Sequence, residues 1–510
     1  MWTRARKALT AIFWSHVFAV AANLFLVPLY LTYWSAGVYG EWLVLFAVAG
    51  YLSTLDLGLN LAMTNRLTQA YCRHDFEDYT RCQHSAFAFY IVVVLVSGLL
   101  LSGALWMFPL PDWLGLKQTD PQESAWVLWL LGLNVLLTLP ATFMWSMYRT
   151  MGHVSLSQWM WNTQQLLTLG MIPVILALGG GMKSVASGQL AVLIILLLYA
   201  GWDLRRRAPA GMPGLRKADR SVLRELTRPS LLFGLVMVSN VIILHGSVIV
   251  VSTMLGSVAV ALFVTSRTLV NLARQAGNAF LNVLWPEVTG MEARGEWSRL
   301  RSLHRLLMAT STTVCIGFAA ALWHEGSEVM TLWTRGQLVP DPILLRLLLI
   351  LLVFQSTWLV SMAFPAAANR HEKVSWLYLA SALLGIGAGI LCARTVGIWG
   401  IPIGLLVGEA VVCYHLVIRD TCRLLGEDYR TFAFKLWLGI LSGGGLALTI
   451  GWIAHVMIPG PFWVRWLGVG SVTLATAFVV CWSVELTPED REQVFLRLRP
   501  PAVAGVNRGL

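Results

Sequence analysis

A chain of 510 residues that is 57% hydrophobic and 12% charged, with a mean hydropathy of +0.67, departs far from soluble domains, which carry about 25% charged residues. This composition excludes a soluble enzyme and implies a polytopic membrane protein. The net charge of +11 would by itself fit a nucleic-acid partner, but the placement of the basic residues accounts for it without one.

Apolar stretches long enough to cross a bilayer, about 18 to 25 residues, run over 11–31, 41–62, 85–108, 124–147, 163–180, 185–203, 230–251, 257–284, 304–323, 343–364, 374–393, 397–419, 434–456 and 463–485. They predict an all-α fold of about fourteen transmembrane helices. The first stretch follows Arg4, Arg6 and Lys7 and carries Ala19, Val20 and Ala21 in the manner of a signal cleavage site. It stays apolar through Leu31, too long for a signal sequence, so it is read as a span. With the N-terminus placed in the cytoplasm, one set of loops holds Arg66, Arg73, Arg81, Arg149, the 205–228 cluster, Arg294 to Arg305, Arg370, Lys373 and Arg419 to Lys435. The other set holds only Lys117, Lys183, Arg335, Arg394 and Arg465, with Arg346 at a helix mouth. Positive charge is retained on the cytoplasmic side of short loops, so both termini are cytoplasmic. Tryptophans near span ends, such as Trp34, Trp106, Trp202 and Trp463, fit interfacial belts rather than ligand stacking.

Along the chain, Cys72, His74, Cys82 and His84 offer zinc-type ligands, but their C-x-H spacing is shorter than zinc motifs use and no metal is expected there. The run Gly179 to Ser184 superficially resembles a phosphate-binding loop. It lacks the glycine before Lys183 and falls on the outside, so no nucleotide or other cofactor is expected. The 204–228 segment ends in an amphipathic stretch with Leu215, Val222, Leu223 and Leu226, and its basic residues are expected to rest on anionic lipid headgroups.

The span 257–284 is unlike the others. Arg267, Asn271, Arg274, Gln275, Asn278 and Asn282 project within an arc of roughly 100° at helical spacing. A guanidinium in a bilayer needs a bundle interior or a watered cavity, so this face is expected to line a cavity. One or two polar residues would suffice for a structural seam between helices. Prolines inside spans, at 28, 140, 173, 286, 365 and 402, each remove a backbone hydrogen bond and favour a bend.

A shift of 218 residues lays the first span on 229–249, the second on 259–280, the third on 303–326, the fourth on 342–365 and the sixth on 403–421, with the fifth matching loosely. Six is even, so the copies share one orientation and form a parallel repeat around a central cavity. The expected organisation is an N-terminal lobe over 1–203, a cytoplasmic linker over 204–228, a C-terminal lobe over 229–423, and two additional spans with a tail over 424–510. The shift also places Asn271 on Ser53, Arg274 on Asp56 and Asn278 on Asn60, adding those three to the cavity candidates. Asp56 could pair with Arg274 or act as a cap. Asp56, Glu409 and Glu287 are the acids placed to couple transport to an ion.

Residues 27–70 resemble the bacterial polysaccharide transporters of the Wzx type, within the multidrug/oligosaccharidyl-lipid/polysaccharide exporter superfamily. The resemblance rests on Pro28, on Gly40 with Trp42, and on Asp56, Leu57, Gly58 and Leu59. It continues in Ala261 to Arg267, Pro286 with Gly295 and Glu296, Leu332 to Thr334, Asn369 to His371 and Gly397 to Gly404. It implies a flippase of the bacterial inner membrane that translocates undecaprenyl-diphosphate-linked oligosaccharide by alternating access, for O-antigen, capsule or exopolysaccharide. Membrane lipids, polysaccharide polymerase and other assembly proteins are the partners implied. Members of that type commonly have twelve spans, and lipid II flippases of the same superfamily have fourteen. Independently, arginines suit a diphosphate and amides suit sugar hydroxyls. A drug or cation exporter of the same fold would favour acids and aromatics in its cavity, and the arginines argue against it. A membrane enzyme of polysaccharide assembly would need catalytic acids in a large outside loop, and the 109–123 loop offers only Asp112, Asp120 and Glu123 without paired spacing.

Overall fold

The computed structural model describes residues 2–207, 213–367, 370 and 372–491, and among these gives no side chain for 2–9, 11–13, 16, 228–229, 276–287, 289–290, 293 and 367. Each expected span lies on a helix. In chain order these are α1 (Trp2–Tyr33), α2 (Ala36–Gly50, a 3-10 turn Tyr51–Asp56, then Leu59–Cys72), α3 (Phe76–Met107), α4 (Pro121–Thr150), α5 (Val154–Ala177) and α6 (Met182–Arg207). Then follow α7 (Arg220–Val241, a π-helical turn Ile242–Gly246, then Ser247–Leu255), α8 (Ser257–Ala293), α9 (Trp297–Trp333), α10 (Pro342–Ala367) and α11 (Glu372–Val396). The last are α12 (a 3-10 turn Gly397–Trp399, Gly400–Gly408, a π-helical segment Glu409–Val417, then Ile418–Leu425), α13 (Tyr429–Met457) and α14 (Phe462–Glu485). Among the described residues there is no strand, and ten helical stretches are long and apolar enough to cross a membrane, one being α11 and α12 run together. The protein is an all-α, multi-pass membrane protein.

Local chemistry sets the helix ends. Asp75, Asp120, Asp219 and Asp428 each accept a backbone N–H of the helix that follows them, satisfying donors that the first turn leaves without partners. Pro121 occupies the first helical position of α4, where no N–H is needed.

The 218-residue repeat extends to the element boundaries. Shifted, α5 falls on 372–395 against Glu372–Val396, and α6 falls on 400–425, matching the Gly400–Leu425 portion of α12. The fifth span therefore matches closely. It looked loose because the polar residues near its start displaced the sequence-derived boundary from Val154 to 163.

The chain divides into two compact units, Met1–Leu269 with Met330–Leu344 and Ser375–Gly408, and Val270–Val329 with Leu345–Val374 and Glu409–Leu510. In the first, α2, α3, α4 and α6 share a core that includes Met63, Leu67, Tyr79, Tyr90, Phe143, Met147, Tyr148 and Leu204. The linker joins it. Val222 is buried in this core and Leu223 and Leu226 pack against it, so the apolar side of the amphipathic stretch meets protein. Polar contacts hold the segment there: Arg81 pairs with Asp219 and donates to Ser221, His84 Nδ1 accepts the Lys217 N–H at 3.1 Å, and Arg66 Nη1 meets Glu225 at 3.5 Å. His84 is thus engaged with the linker and Cys82 with Asp78, and among the described residues no metal-holding group of His, Cys, Asp and Glu occurs.

Within the same unit α11 and the start of α12 approach backbone to backbone. Gly400 faces Ala393, Gly404 faces Gly389, and Gly408 faces Ser381 and Gly385, a four-residue spacing of small side chains that lets two helices touch. In the second unit Ile316, Ala320, Ala447, Ala477 and Cys481 join α9, α13 and α14 in a smaller core.

Candidate functional site

α2 does not run straight through its span. Leu57 (φ 50°) and Gly58 (φ 73°) both take the left-handed conformation, and a Cβ on Gly58 would lie 2.4 Å from the Ser230 carbonyl oxygen. The Asp-Leu-Gly-Leu motif is therefore a backbone break that glycine permits. Asp56 closes it: the carboxylate accepts the Tyr90 hydroxyl at 2.7 Å and the backbone N–H groups of Gly58 and Asn60. This is a capping role. Ser53 returns its hydroxyl to the Gly50 carbonyl, and Asn60 donates to Thr142 at 3.2 Å. The shared face expected of Ser53, Asp56 and Asn60 presumed an even helical step, which the break interrupts.

Two further breaks stand at equivalent places of the repeat. In α1, Pro28 lacks the N–H that would bond the Leu24 carbonyl, and the Trp333 indole N–H takes that carbonyl at 2.8 Å. Shifted by 218, residue 28 falls on Gly246, the end of the π-helical turn of α7. There the Leu244 carbonyl accepts Arg267 Nη1 at 2.9 Å, and the same nitrogen reaches Ser247 Oγ at 2.8 Å. Arg267 also lies over the Phe263 ring, 5.2 Å from its centroid.

Arg267 stands on the wall of a cavity of about 550 Å3 in this unit. α1, α2, α4, α5, α6, α7 and the first part of α8 contribute to it. Beside Arg267 it exposes His245, the amides of Asn23, Asn134, Gln164, Gln165 and Gln189, and Trp42 and Trp161. Its described lining contains no carboxylate. The Asn134 side-chain nitrogen is buried without a hydrogen-bond partner among the described residues.

Of the residues expected from sequence, the structure puts Arg267 on this cavity. Asn271, Arg274 and Gln275 belong to the second unit and are half-buried. There the charge of Arg274 bears on Glu409, a buried acid that accepts Gln355 Nε2 at 2.6 Å and Trp358 Nε1 at 3.2 Å. Glu409 opens the π-helical segment of α12. The side chains of Asn278, Asn282 and Glu287 lie outside the described residues.

The amide wall was missed. Trp161, Gln164, Gln165 and Thr168 are spaced i, i+3, i+4, i+7 on α5, and Asn134 and Thr138 are spaced i, i+4 on α4. That is the pattern of a polar stripe inside an apolar span. Starting the fifth span at residue 163 split the first stripe and hid it.

Comparison with solved structures finds the same fold in structures of two kinds of membrane transporter. The lipid II flippase MurJ in an inward closed conformation superposes with a TM-score of 0.71 at 11% identity, over 96% of this chain and 99% of that one. The likeness is one of fold. An inward-facing multidrug resistance MATE family transporter of the MOP superfamily gives 0.69 at 16% identity, over 80% of this chain and 94% of the other. An outward-facing structure of a MATE family transporter of that superfamily gives 0.61 at 16%, over 82% and 95%. No protein-family model and no curated protein matches the chain.

Proposed function

We propose that the protein is a flippase that carries undecaprenyl-diphosphate-linked oligosaccharide across the bacterial inner membrane by alternating access, supplying O-antigen, capsule or exopolysaccharide assembly. The observation that carries this reading is the cavity: one guanidinium and several amides, with no carboxylate in the described lining. Tyr30, Tyr39, Trp42, Phe46 and Trp161 give the lining aromatic faces, but a cationic drug would find Arg267 there and no acid to offset its desolvation, whereas a diphosphate finds its partner in Arg267 and sugar hydroxyls find theirs in the amides. The likeness to a flippase over 96% of the chain, α13 and α14 included, supports the same side. Asn271, Arg274, Gln275, Asn278, Asn282, Ser53, Asp56 and Asn60 remain proposed, on the sequence pattern alone, as substrate-binding residues.

Glu409 is the acid best placed for ion coupling, because it is buried, hydrogen-bonded by neutral donors and close enough to Arg274 to sense its charge. Asp56 is engaged as a cap, and Glu287 remains a candidate on the sequence alone. No chemistry on the cargo is proposed.

The test is translocation in proteoliposomes containing the full chain and an undecaprenyl-diphosphate-linked oligosaccharide. Movement of the intact lipid supports the proposal. Export of an organic cation with no lipid movement would establish the drug exporter instead, and recovery of an altered glycan would establish an enzyme. Orientation is read separately: cysteines placed at Ser35 and Gly181 should react with an impermeant reagent outside, and one at Ala293 should not.

A further inference from the structure

The cavity lining says something about the cargo that the flippase reading alone does not. Gln164 and Gln165 on α5, Gln189 on α6 and Asn134 on α4 belong to three helices that pack on one another, and they bring amides to one cavity. Each amide offers both donors and an acceptor, so together they match hydroxyl groups, which also donate and accept. Trp161 adds a flat apolar face, suited to the C–H side of a sugar ring.

Charge sets the limit. A diphosphate already brings more negative charge than one guanidinium offsets, and Nη1 of Arg267 is bonded to Leu244 and Ser247. His245 is the other titratable nitrogen in the lining, and it faces Phe46 and Tyr51 rather than an acid. A carboxylated sugar within the same volume would therefore bury a second anion among neutral amides, which lowers affinity unless a cation is supplied.

Resting on the flippase reading, we propose that Asn134, Gln164, Gln165 and Gln189 form a subsite for uncharged sugar residues next to the diphosphate, and that it discriminates against uronic acids at that position. The subsite sets specificity and leaves the diphosphate contact to Arg267.

The experiment uses the full-length chain in proteoliposomes with two probes, undecaprenyl diphosphate carrying a neutral disaccharide and the same lipid carrying a disaccharide with one uronic acid. The neutral probe should cross at least about tenfold faster, the effect of one poorly compensated polar group. Gln165→Arg supplies a cation and should raise the acidic-to-neutral rate ratio about tenfold, a gain that misfolding cannot produce. Gln165→Leu should slow the neutral probe by about tenfold at unchanged membrane abundance. Equal rates for both probes in the parent protein, or an unmoved ratio in Gln165→Arg, would overturn the subsite while leaving the flippase reading standing. Movement of neither probe would remove that reading, and this inference with it.

Discussion

Arg267 has two tasks, and their energies can be separated. Replacing it by alanine removes one charge-assisted bond to the Leu244 carbonyl at 2.9 Å and one to Ser247 Oγ at 2.8 Å. Such bonds contribute about 1.5 to 3 kcal/mol each in water-soluble proteins. Two features lower the sum here: the Leu244 carbonyl keeps Ser247 Oγ at 3.2 Å and is not orphaned, and the unfolded chain in a membrane also finds partners. The expected loss for Arg267→Ala is therefore about 2 kcal/mol, against about 0.6 kcal/mol for Ser247→Ala, which removes a neutral hydroxyl away from the cavity. Denaturant titration in detergent gives these values, and proteoliposome transport is measured on the same preparations. Substrate contact requires transport in Arg267→Ala to vanish while Ser247→Ala transports normally, with Arg267→Lys intermediate because it keeps the charge and loses the planar fork. A stability loss under about 0.5 kcal/mol with normal transport in Arg267→Ala would refute both the staple and the anion site.

Three further outcomes follow from the geometry. Glu41 is fully buried and accepts the backbone N–H groups of Lys117, Gln118 and Thr119, so Glu41→Ala should cost about 3 kcal/mol in the same titration by leaving these donors unpaired; a change below about 1 kcal/mol would show that water replaces the carboxylate. A Cβ on Gly404 would sit 2.1 Å from the Gly389 nitrogen, whereas one on Gly387 would meet nothing within 4 Å, so Gly404→Ala should strongly reduce folded protein in the membrane and Gly387→Ala should not. Asp490, beyond the last span, is raised by burial but lowered more by Arg305, Ser302 and Thr487, leaving it depressed to about 2. Its contribution is fully present above the ordinary aspartate range near about pH 4 and is lost as pH falls toward about 2. The stability gap between parent and Asp490→Asn should close over that window, and a gap that persists below it would contradict the assignment.

The helices were legible because bilayer thickness forces a long apolar run, and the repeat was legible because it is written in spacing. The breaks were not. A π-turn has no composition of its own, and Leu57 carries nothing that announces a left-handed backbone; only Pro28 and Gly58 signalled a departure from the ladder. Arg267 was identified because a guanidinium within a span is conspicuous, while the α4, α5 and α6 amides are uncharged and are diluted among leucines. The packing of the linker was not legible for a different reason: Leu223 and Leu226 form the same amphipathic pattern whether the apolar face meets lipid or protein, and only the partners of Arg81, His84 and Arg66 decide between them.

The two copies of the repeat interrupt their first helix at the same place with unlike materials. A proline interruption is anchored, since no neighbouring residue can inherit a missing N–H. A π-turn is an extra residue accommodated within an otherwise regular ladder, and every residue of Ile242–Gly246 retains its N–H. The Leu244 carbonyl within it accepts Arg267 Nη1. The duplicated architecture thus mends the same position of its ladder with an indole N–H in one copy and a guanidinium in the other.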